Sequence, residues 1–297
     1  MKSWNSMNIV ISIPAYNEEK TLPRVLDEIK EVMKGNYTYK VLVLNDGSTD
    51  KTKDVAQKHG AIVISNKKNR GLAETFRAEM RECIKLKADI IVHTDADGQY
   101  HPQHIPQLIE KVKEGYDLVL GSRFRGKIEK MPFMKRMGNR MFSRVISKLT
   151  KTTITDSTTG YRAFTREVAE DISYINTFTY TQEQIIKAAK QGFKITEIPI
   201  VARKTRNSRL FKSSFQYAVK AWINILRIYR DYDPLKFFGY AGGLLFGTGV
   251  LIGIYVLIHV LLTGAAGGIP RVILSAILML GGIQITIFGF LADMLRK

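Results

Sequence analysis

Two stretches late in the 297-residue chain constrain its fold more than anything else in it. Residues 237–262 contain no Asp, Glu, Lys or Arg, and neither do residues 272–292. About 20 apolar residues in an α-helix cross the hydrocarbon of a bilayer, so each stretch is long enough to span. The link between them, 263–271, is too short for more than a turn, and Gly264, Gly267, Gly268 and Pro270 supply the breakers. Gly239, Gly242, Gly243, Gly247, Gly249 and Gly253 in the first stretch permit close helix contact. The reading is a two-helix transmembrane hairpin over 235–297. Two buried core helices would instead need a partner large enough to cover both. Lys236 precedes the pair and Arg296 and Lys297 end it, so the positive-inside rule places both hairpin ends on the cytoplasmic side. The apolar run 7–13 is too short for a signal segment and runs into Pro14. Everything before Lys236, and both termini, are therefore expected in the cytoplasm. The lone Cys83 fits a reducing compartment and excludes a disulfide framework or a multi-cysteine metal centre.

The formal net charge of +18 is large enough to raise nucleic acid or an anionic membrane as a partner. It is local. Residues 123–151 carry ten basic side chains and one acid, Glu129, while residues 203–230 carry eight and none, so the two windows hold +17 of the +18. In the first, Phe133, Met137, Met141, Val145 and Leu149 recur every fourth residue beside Arg136, Arg140, Arg144 and Lys148. In the second, Phe211, Phe215, Ala218, Trp222, Ile225 and Tyr229 follow i, i+3, i+4 spacing. Both patterns predict basic amphipathic helices, over 133–150 and 209–234, of the kind that lie in a membrane interface. A helix on a protein core with a solvated basic face would read the same way, but the hairpin that follows favours the interface. Nucleic acid ranks last, because the basic stripes alternate with bulky aliphatics and lead into the spans.

The first part of the chain, 1–208, reads as an α/β domain. Apolar, β-branched runs at 9–13, 41–44, 62–64, 90–92 and 118–120 alternate with helical patterns at 21–33, 51–58, 72–86 and 105–114. Such alternation makes a mostly parallel sheet with helices on both faces, and ligands bind beyond the carboxyl ends of its strands. Polar clusters stand at those ends: Pro14-Ala15-Tyr16-Asn17-Glu18, Asn45-Asp46-Gly47-Ser48-Thr49-Asp50, Thr94-Asp95-Ala96-Asp97-Gly98-Gln99 and Gly121-Ser122-Arg123-Phe124. Asp46 or Asp50 alone could simply cap the helix that follows. The absence of Gly-x-Gly-x-x-Gly after the first strand, and of Gly-x-x-x-x-Gly-Lys, disfavours a dinucleotide oxidoreductase and a P-loop ATPase. The hard oxygens of Asp95 and Asp97, with Gln99 as a third ligand, suit Mg²⁺ or Mn²⁺ on the diphosphate of an activated donor. Asp46 and Glu18 are acceptors for a base or ribose hydroxyls. His93 reads as a strand residue and His101 as a loop residue; with His104 they are not spaced as a metal cluster.

The four motifs, in this order and spacing, resemble glycosyltransferase family 2. Asp156-Ser157-Thr158-Thr159-Gly160-Tyr161-Arg162-Ala163-Phe164, the basic helices and the short membrane domain narrow the resemblance to its polyprenyl-phosphate branch, of the dolichyl-phosphate mannose synthase type. The resemblance covers nearly the whole chain. It implies a GT-A fold, a nucleotide-sugar donor linked to UDP or GDP, a divalent metal at Asp-Ala-Asp and a dolichyl or polyprenyl phosphate acceptor. It implies donor contacts at Pro14, Ala15, Tyr16, Glu18, Asp46, Asp95 and Ala96, with Arg206 in a basic loop, 203–209, closing over the donor phosphates. Arg123 is implied at the acceptor phosphate, joined by Arg136, Asn139 and Arg140. Asp97, Arg123 and Arg162 are the residues expected to carry catalysis, with Asp156 and Arg162 lining the sugar and acceptor side. Two departures stand out. Asn45 replaces the usual Asp, which points to a tuned donor site, and Gln182-Glu183-Gln184 lacks the Gln-x-x-Arg-Trp of processive polysaccharide synthases. A transferase using a hydroxyl or lipid-diphosphate acceptor, or a membrane-tethered non-catalytic scaffold, are the competing readings.

Overall fold

The computed structural model describes residues 7–35, 37–129, 131–172, 180–204, 223, 226–227, 229–265 and 268–295. The chain divides into two compact units, Met1–Ala218 and Val219–Lys297. Most of the expected second amphipathic helix, 209–234, lies outside the described residues, as does Arg206.

The strands of the first unit are β1 (Ile9–Ala15), β2 (Tyr39–Asn45), β3 (Ile62–Ser65), β4 (Ile90–His93), β5 (Leu118–Ile128), β6 (Arg162–Thr165) and β7 (Ile195–Ala202). They form one 7-stranded sheet in the order β3-β2-β1-β4-β6-β5-β7. Pairing is parallel throughout except at β6, which runs antiparallel between β4 and β5. The mostly parallel sheet read from the sequence is present, with β6 and β7 added to the five expected strands. β1 is buried along nearly its whole length, as a central strand covered on both faces must be.

Helices α1 (Leu22–Met33), α2 (Thr52–Lys58), α3 (Leu72–Lys85) and α4 (Ile105–Lys113) follow the strands they were expected to follow. α1 buries Leu22, Val25, Leu26, Ile29 and Met33, one helical stripe. That stripe packs in one core with Ile9, Ile11 and Ile13 of β1 and Ile105, Leu108 and Ile109 of α4. On β4, Val92 faces this core, and the next residue, His93, meets Phe76 of α3 at 5.1 Å between rings. Side chains alternate along a strand, so α3 covers the opposite face. Strand order reverses direction at β1, with β2 on one side and β4 on the other. The crevice between their carboxyl ends is the natural ligand site of such a sheet.

β5 does not stop at Leu120. It continues to Ile128 through an irregular register between Ser122 and Lys127. Gly121, Ser122 and Arg123, expected at its end, therefore lie inside the strand. Helices α5 (Phe133–Thr150), α6 (Arg166–Asp171) and α7 (Thr181–Lys190) complete the unit.

The second unit contains α8 (Pro234–Thr263) and α9 (Ile269–Met294), each longer than the expected spans and each long and apolar enough to cross a membrane, with mean hydropathy 2.3 and 2.1. They pack on Gly242 and Gly249 of one helix and Ser275, Gly282 and Gly289 of the other, a seam at heptad spacing. Ser275 Oγ donates to the Gly249 carbonyl at 2.8 Å. A Cβ on Gly249 would stand 2.8 Å from Met279 Cγ and 2.9 Å from the Ser275 carbonyl, so only glycine allows this approach.

Candidate active site

The first two motifs are stitched together beyond the ends of β1 and β2. The Asp46 N–H donates to the Ala15 carbonyl at 2.9 Å. Asn17 Oδ1 accepts from the Thr49 N–H at 2.8 Å, and the Glu18 N–H donates to Thr52 Oγ1 at 2.8 Å. Asn45 accepts the Ser48 N–H on Oδ1 and donates Nδ2–H to Ser65 Oγ on β3, both at 3.1 Å. The amide thus accepts on one side and donates on the other without bringing a charge to the end of β2. Asp46, nearly buried, spends its carboxylate on the loop after β3: it accepts from Asn66 Nδ2 at 2.8 Å and from the Arg70 and Gly71 N–H groups at 3.0 Å.

The consequence is one cleft of about 260 Å³ at the switch point. Pro14, Ala15, Tyr16 and Glu18 line it from β1, Asp46 from β2, and Asp95, Ala96 and Asp97 from β4. Every donor contact expected from the sequence is in this wall except Arg206, which is outside the described residues. Asn69, Gly71, Leu72 and Thr75 close the cleft and were not foreseen. They arrive because Asp46 pulls their loop in, and the signal available was Gly71 immediately before the α3 pattern.

Asp95 and Asp97 are half-buried neighbours on this wall. Burial first, and then the Asp97 charge, push the Asp95 carboxyl up to about 6. Two neighbouring carboxylates that raise one another's proton affinity and offer only hard oxygens fit a divalent cation. Gly160 strengthens the fit: a Cβ there would stand 3.1 Å from Asp95 Oδ1, so the glycine keeps the space beside that oxygen open. Among the described residues no group of three or more His, Cys, Asp or Glu side chains is placed to hold a metal ion by itself, so a cation here would take the rest of its shell from water and phosphate. Gln99, expected as a third ligand, is not in the cleft wall. Its backbone N–H donates to Asp97 Oδ1 at 2.9 Å, and its carbonyl accepts from the Arg203 N–H at 2.9 Å.

The acceptor-side residues divide. Arg123 is 4% exposed, and its guanidinium grips Asp156 and reaches Thr158 Oγ1 at 2.9 Å. Asn139 is buried, whereas Arg136 and Arg140 of α5 are exposed, Arg140 over the Phe124 ring at 5.5 Å. A further cation of α5, Lys135, was not singled out in the sequence. It is half-buried, and its ammonium is lowered by burial and by Arg123 while Asp97 pulls it the other way, which puts it in range of both groups. Its signal was position, one turn before Asn139 on the same helix.

Arg162 was expected to line the sugar and acceptor side. It is fully buried. Its guanidinium donates to Gln184 Oε1 at 2.8 Å, to the Thr181 carbonyl at 3.2 Å and to the Thr159 carbonyl, under the Tyr180 ring. It holds α7 and the Thr159–Gly160 backbone beside Asp95 rather than facing the cleft. Gln182 and Glu183 are buried in α7, with Glu183 paired to Lys187 at 2.8 Å. His93 is the buried strand residue expected, 3.2 Å from Glu79 and 2.7 Å from the Tyr180 hydroxyl. Arg203 joins His101 Nδ1, Glu28 and the Gly98 carbonyl.

A family described as glycosyl transferase family 2 matches residues 10–173. A dolichyl-phosphate hexose transferase of Haloferax volcanii is 33% identical over 69% of this chain and 86% of its own. A dolichol-phosphate mannosyltransferase of Pyrococcus furiosus is 32% identical over 71% of this chain and 62% of its own. Among solved structures, Mycobacterium tuberculosis glucosyl-3-phosphoglycerate synthase with Mn²⁺, UDP-glucose and phosphoglyceric acid superposes with a TM-score of 0.60 at 21% identity, covering 75% of this chain and 79% of that one. That likeness is one of fold.

Proposed function

This chain belongs to glycosyl transferase family 2, and from that membership we propose that it is a membrane enzyme moving one sugar from a UDP- or GDP-linked donor onto a dolichyl or other polyprenyl phosphate. The observation that carries the reading is the single cleft in which Glu18, Asp46, Asp95 and Asp97 converge at the switch point of the sheet. The names of the Haloferax and Pyrococcus relatives supply the acceptor class, and two helices long and apolar enough to cross a membrane suit an acceptor that stays in one.

Asp95 and Asp97 would hold the divalent cation, Mg²⁺ or Mn²⁺, against the donor diphosphate. When bound, such an ion neutralises charge developing on the departing nucleotide. Glu18, Asn69 and the loop tied to Asp46 hold the nucleoside. The acceptor phosphate has a second pKa of about 6, so at neutral pH it is largely a dianion and needs no general base. It needs cations that bring it to a donor of the same sign. Arg123, held in one orientation by Asp156, and Lys135, within electrostatic reach of both Arg123 and Asp97, fill that role, with the exposed Arg136 and Arg140 on the same helix as Lys135. A phosphate oxygen forms its bond to the anomeric carbon as the bond to the nucleoside diphosphate breaks, in line and with inversion, and no covalent enzyme intermediate forms. Arg162 acts from behind, fixing the Thr159–Gly160 backbone next to Asp95.

The exposed Phe133, Met134 and Met137 beside Arg136 and Arg140 support an interfacial role for α5. Lys236, Arg296 and Lys297 support a cytoplasmic catalytic domain and cytoplasmic termini. The test is nucleotide release by the purified full chain with Mn²⁺, across UDP- and GDP-sugars, with and without farnesyl phosphate. Stimulation by the prenyl phosphate is expected for one donor. Release that responds only to a free hydroxyl acceptor contradicts the reading.

A further inference from the structure

Residues 154–157 pass through the interior without belonging to a helix or a strand. Buried backbone that no ladder pairs must find its hydrogen bonds elsewhere. Here side chains accept from all four N–H groups. The Ile154 N–H donates to Ser147 Oγ at 2.9 Å and the Ser157 N–H to Ser143 Oγ at 2.9 Å, both on α5. The two central N–H groups, of Thr155 and Asp156, converge on one atom, Glu197 Oε1, at 2.9 and 3.0 Å. Thr155 Oγ1–H donates to the other carboxylate oxygen, Oε2, at 2.7 Å.

Glu197 stands on β7 opposite Leu120 of β5 and is 6% exposed. A carboxylate taken out of water is costly unless donors compensate it, and three do so here. Their effect is directional. With its N–H pinned, Asp156 aims its carboxylate at β5, where it takes the Arg123 N–H at 3.1 Å and both ends of the guanidinium fork. A second link reinforces the first. The Thr155 hydroxyl directs its one O–H at Glu197, which leaves Ser122 as the donor to Thr155 Oγ1 at 2.6 Å, one residue before Arg123.

We propose that Glu197 is a positioning residue for the acceptor phosphate: through Thr155 and Asp156 it sets the orientation of the Arg123 guanidinium. The inference rests on the reading that Arg123 meets that phosphate. Asp156 and Thr158 take Nε and Nη2, which leaves the Nη1 edge of the planar guanidinium for phosphate, so a small rotation of the plane weakens binding without touching the donor cleft.

The experiment measures dissociation constants on the full chain in detergent micelles, for farnesyl phosphate and separately for UDP and GDP with Mn²⁺. Glu197→Ala leaves two buried N–H groups unpaired, and the farnesyl phosphate Kd is expected to rise about tenfold or more with nucleotide Kd values changed by less than about twofold. Glu197→Gln keeps a carbonyl oxygen for both N–H groups and is expected to restore the farnesyl phosphate Kd to within about threefold of the parent. Glu197→Asp withdraws the carboxylate by one methylene and gives the same selective loss; it decides the matter if Glu197→Ala does not fold. An unchanged farnesyl phosphate Kd in the folded Ala or Asp variant overturns the proposal, as does parallel loss of nucleotide and farnesyl phosphate affinity. Arg123→Gln separates the two layers. If it leaves farnesyl phosphate binding intact, the acceptor reading of Arg123 fails and the proposal with it. If it weakens binding and the Glu197 variants do not, the positioning role alone fails.

Discussion

Arg123 and Asp156 form a two-point ion pair in the interior, Nε to Oδ2 at 2.7 Å and Nη2 to Oδ1 at 2.8 Å. The cation assigned to the acceptor phosphate is thus already engaged by a carboxylate before any phosphate arrives. Removing one partner of a buried pair strands the other, which costs about 3–5 kcal/mol. Asp156→Ala is expected to lower the stability of the first unit by that order, read from denaturant midpoints of the purified chain. A midpoint equal to the parent's would mean the pair is not formed in solution.

Asp97→Ala is expected to abolish sugar transfer while the protein still fractionates with membranes, because the cation site and the apolar helices depend on different residues. Chelation of divalent ions should mimic the variant, and added Mn²⁺ or Mg²⁺ should restore the parent but not Asp97→Ala. Parent-like turnover by the variant with added Mn²⁺ removes the metal assignment.

Cation affinity should depend on pH with a defined sign. The Asp95 carboxyl, raised to about 6 by burial and by Asp97, is charged above that pH and protonated below it. A proton and a cation compete for the same oxygens, so Mn²⁺ binding is expected to be flat above about pH 7 and to weaken by up to about tenfold per unit below pH 6. Titration calorimetry in buffers of different ionisation enthalpy reads both the affinity and the proton released. A flat affinity down to pH 5 would contradict a raised Asp95 carboxyl acting as a ligand.

The hairpin seam offers a paired control. A Cβ on Gly249 meets Met279 and the Ser275 carbonyl, whereas one on Gly243 meets nothing within 4 Å. Gly249→Val is expected to cost about 1–3 kcal/mol by overpacking, and Gly243→Val close to nothing. Thermal unfolding in detergent distinguishes them, and equal effects would contradict the observed seam.

Much of this was legible in the sequence, for identifiable reasons. The β-branched runs of β1 to β4 and the apolar stripes of α1, α3 and α4 each carry their own period, so neighbours in sequence suffice to find them. β6 is four residues beginning with Arg162, and no period can be read from so short a run. β5 continues through Ser122–Ile128 because β7 pairs with it, a fact of tertiary structure. The cleft residues at the carboxyl ends of β1, β2 and β4 were foreseen because chain topology alone places them. Asn69 and Leu72 were not, since only the long-range bonds from Asp46 bring their loop in. Arg162 was misplaced for the complementary reason: a motif arginine looks like a ligand-binding group until Gln184, far along the chain, turns out to accept from it.

The proposed reaction leaves the sugar on a lipid phosphate. Its most direct measurement is mass spectrometry of the organic extract after the purified full chain is incubated with dolichyl phosphate, Mn²⁺ and a panel of UDP- and GDP-linked hexoses and N-acetylhexosamines. A dolichyl-phosphate monosaccharide is expected from one donor, dependent on both the lipid and the cation and lost in Asp97→Ala. Donor consumed across the panel with no sugar in the lipid fraction, or sugar found only on a non-phosphate acceptor, would contradict it.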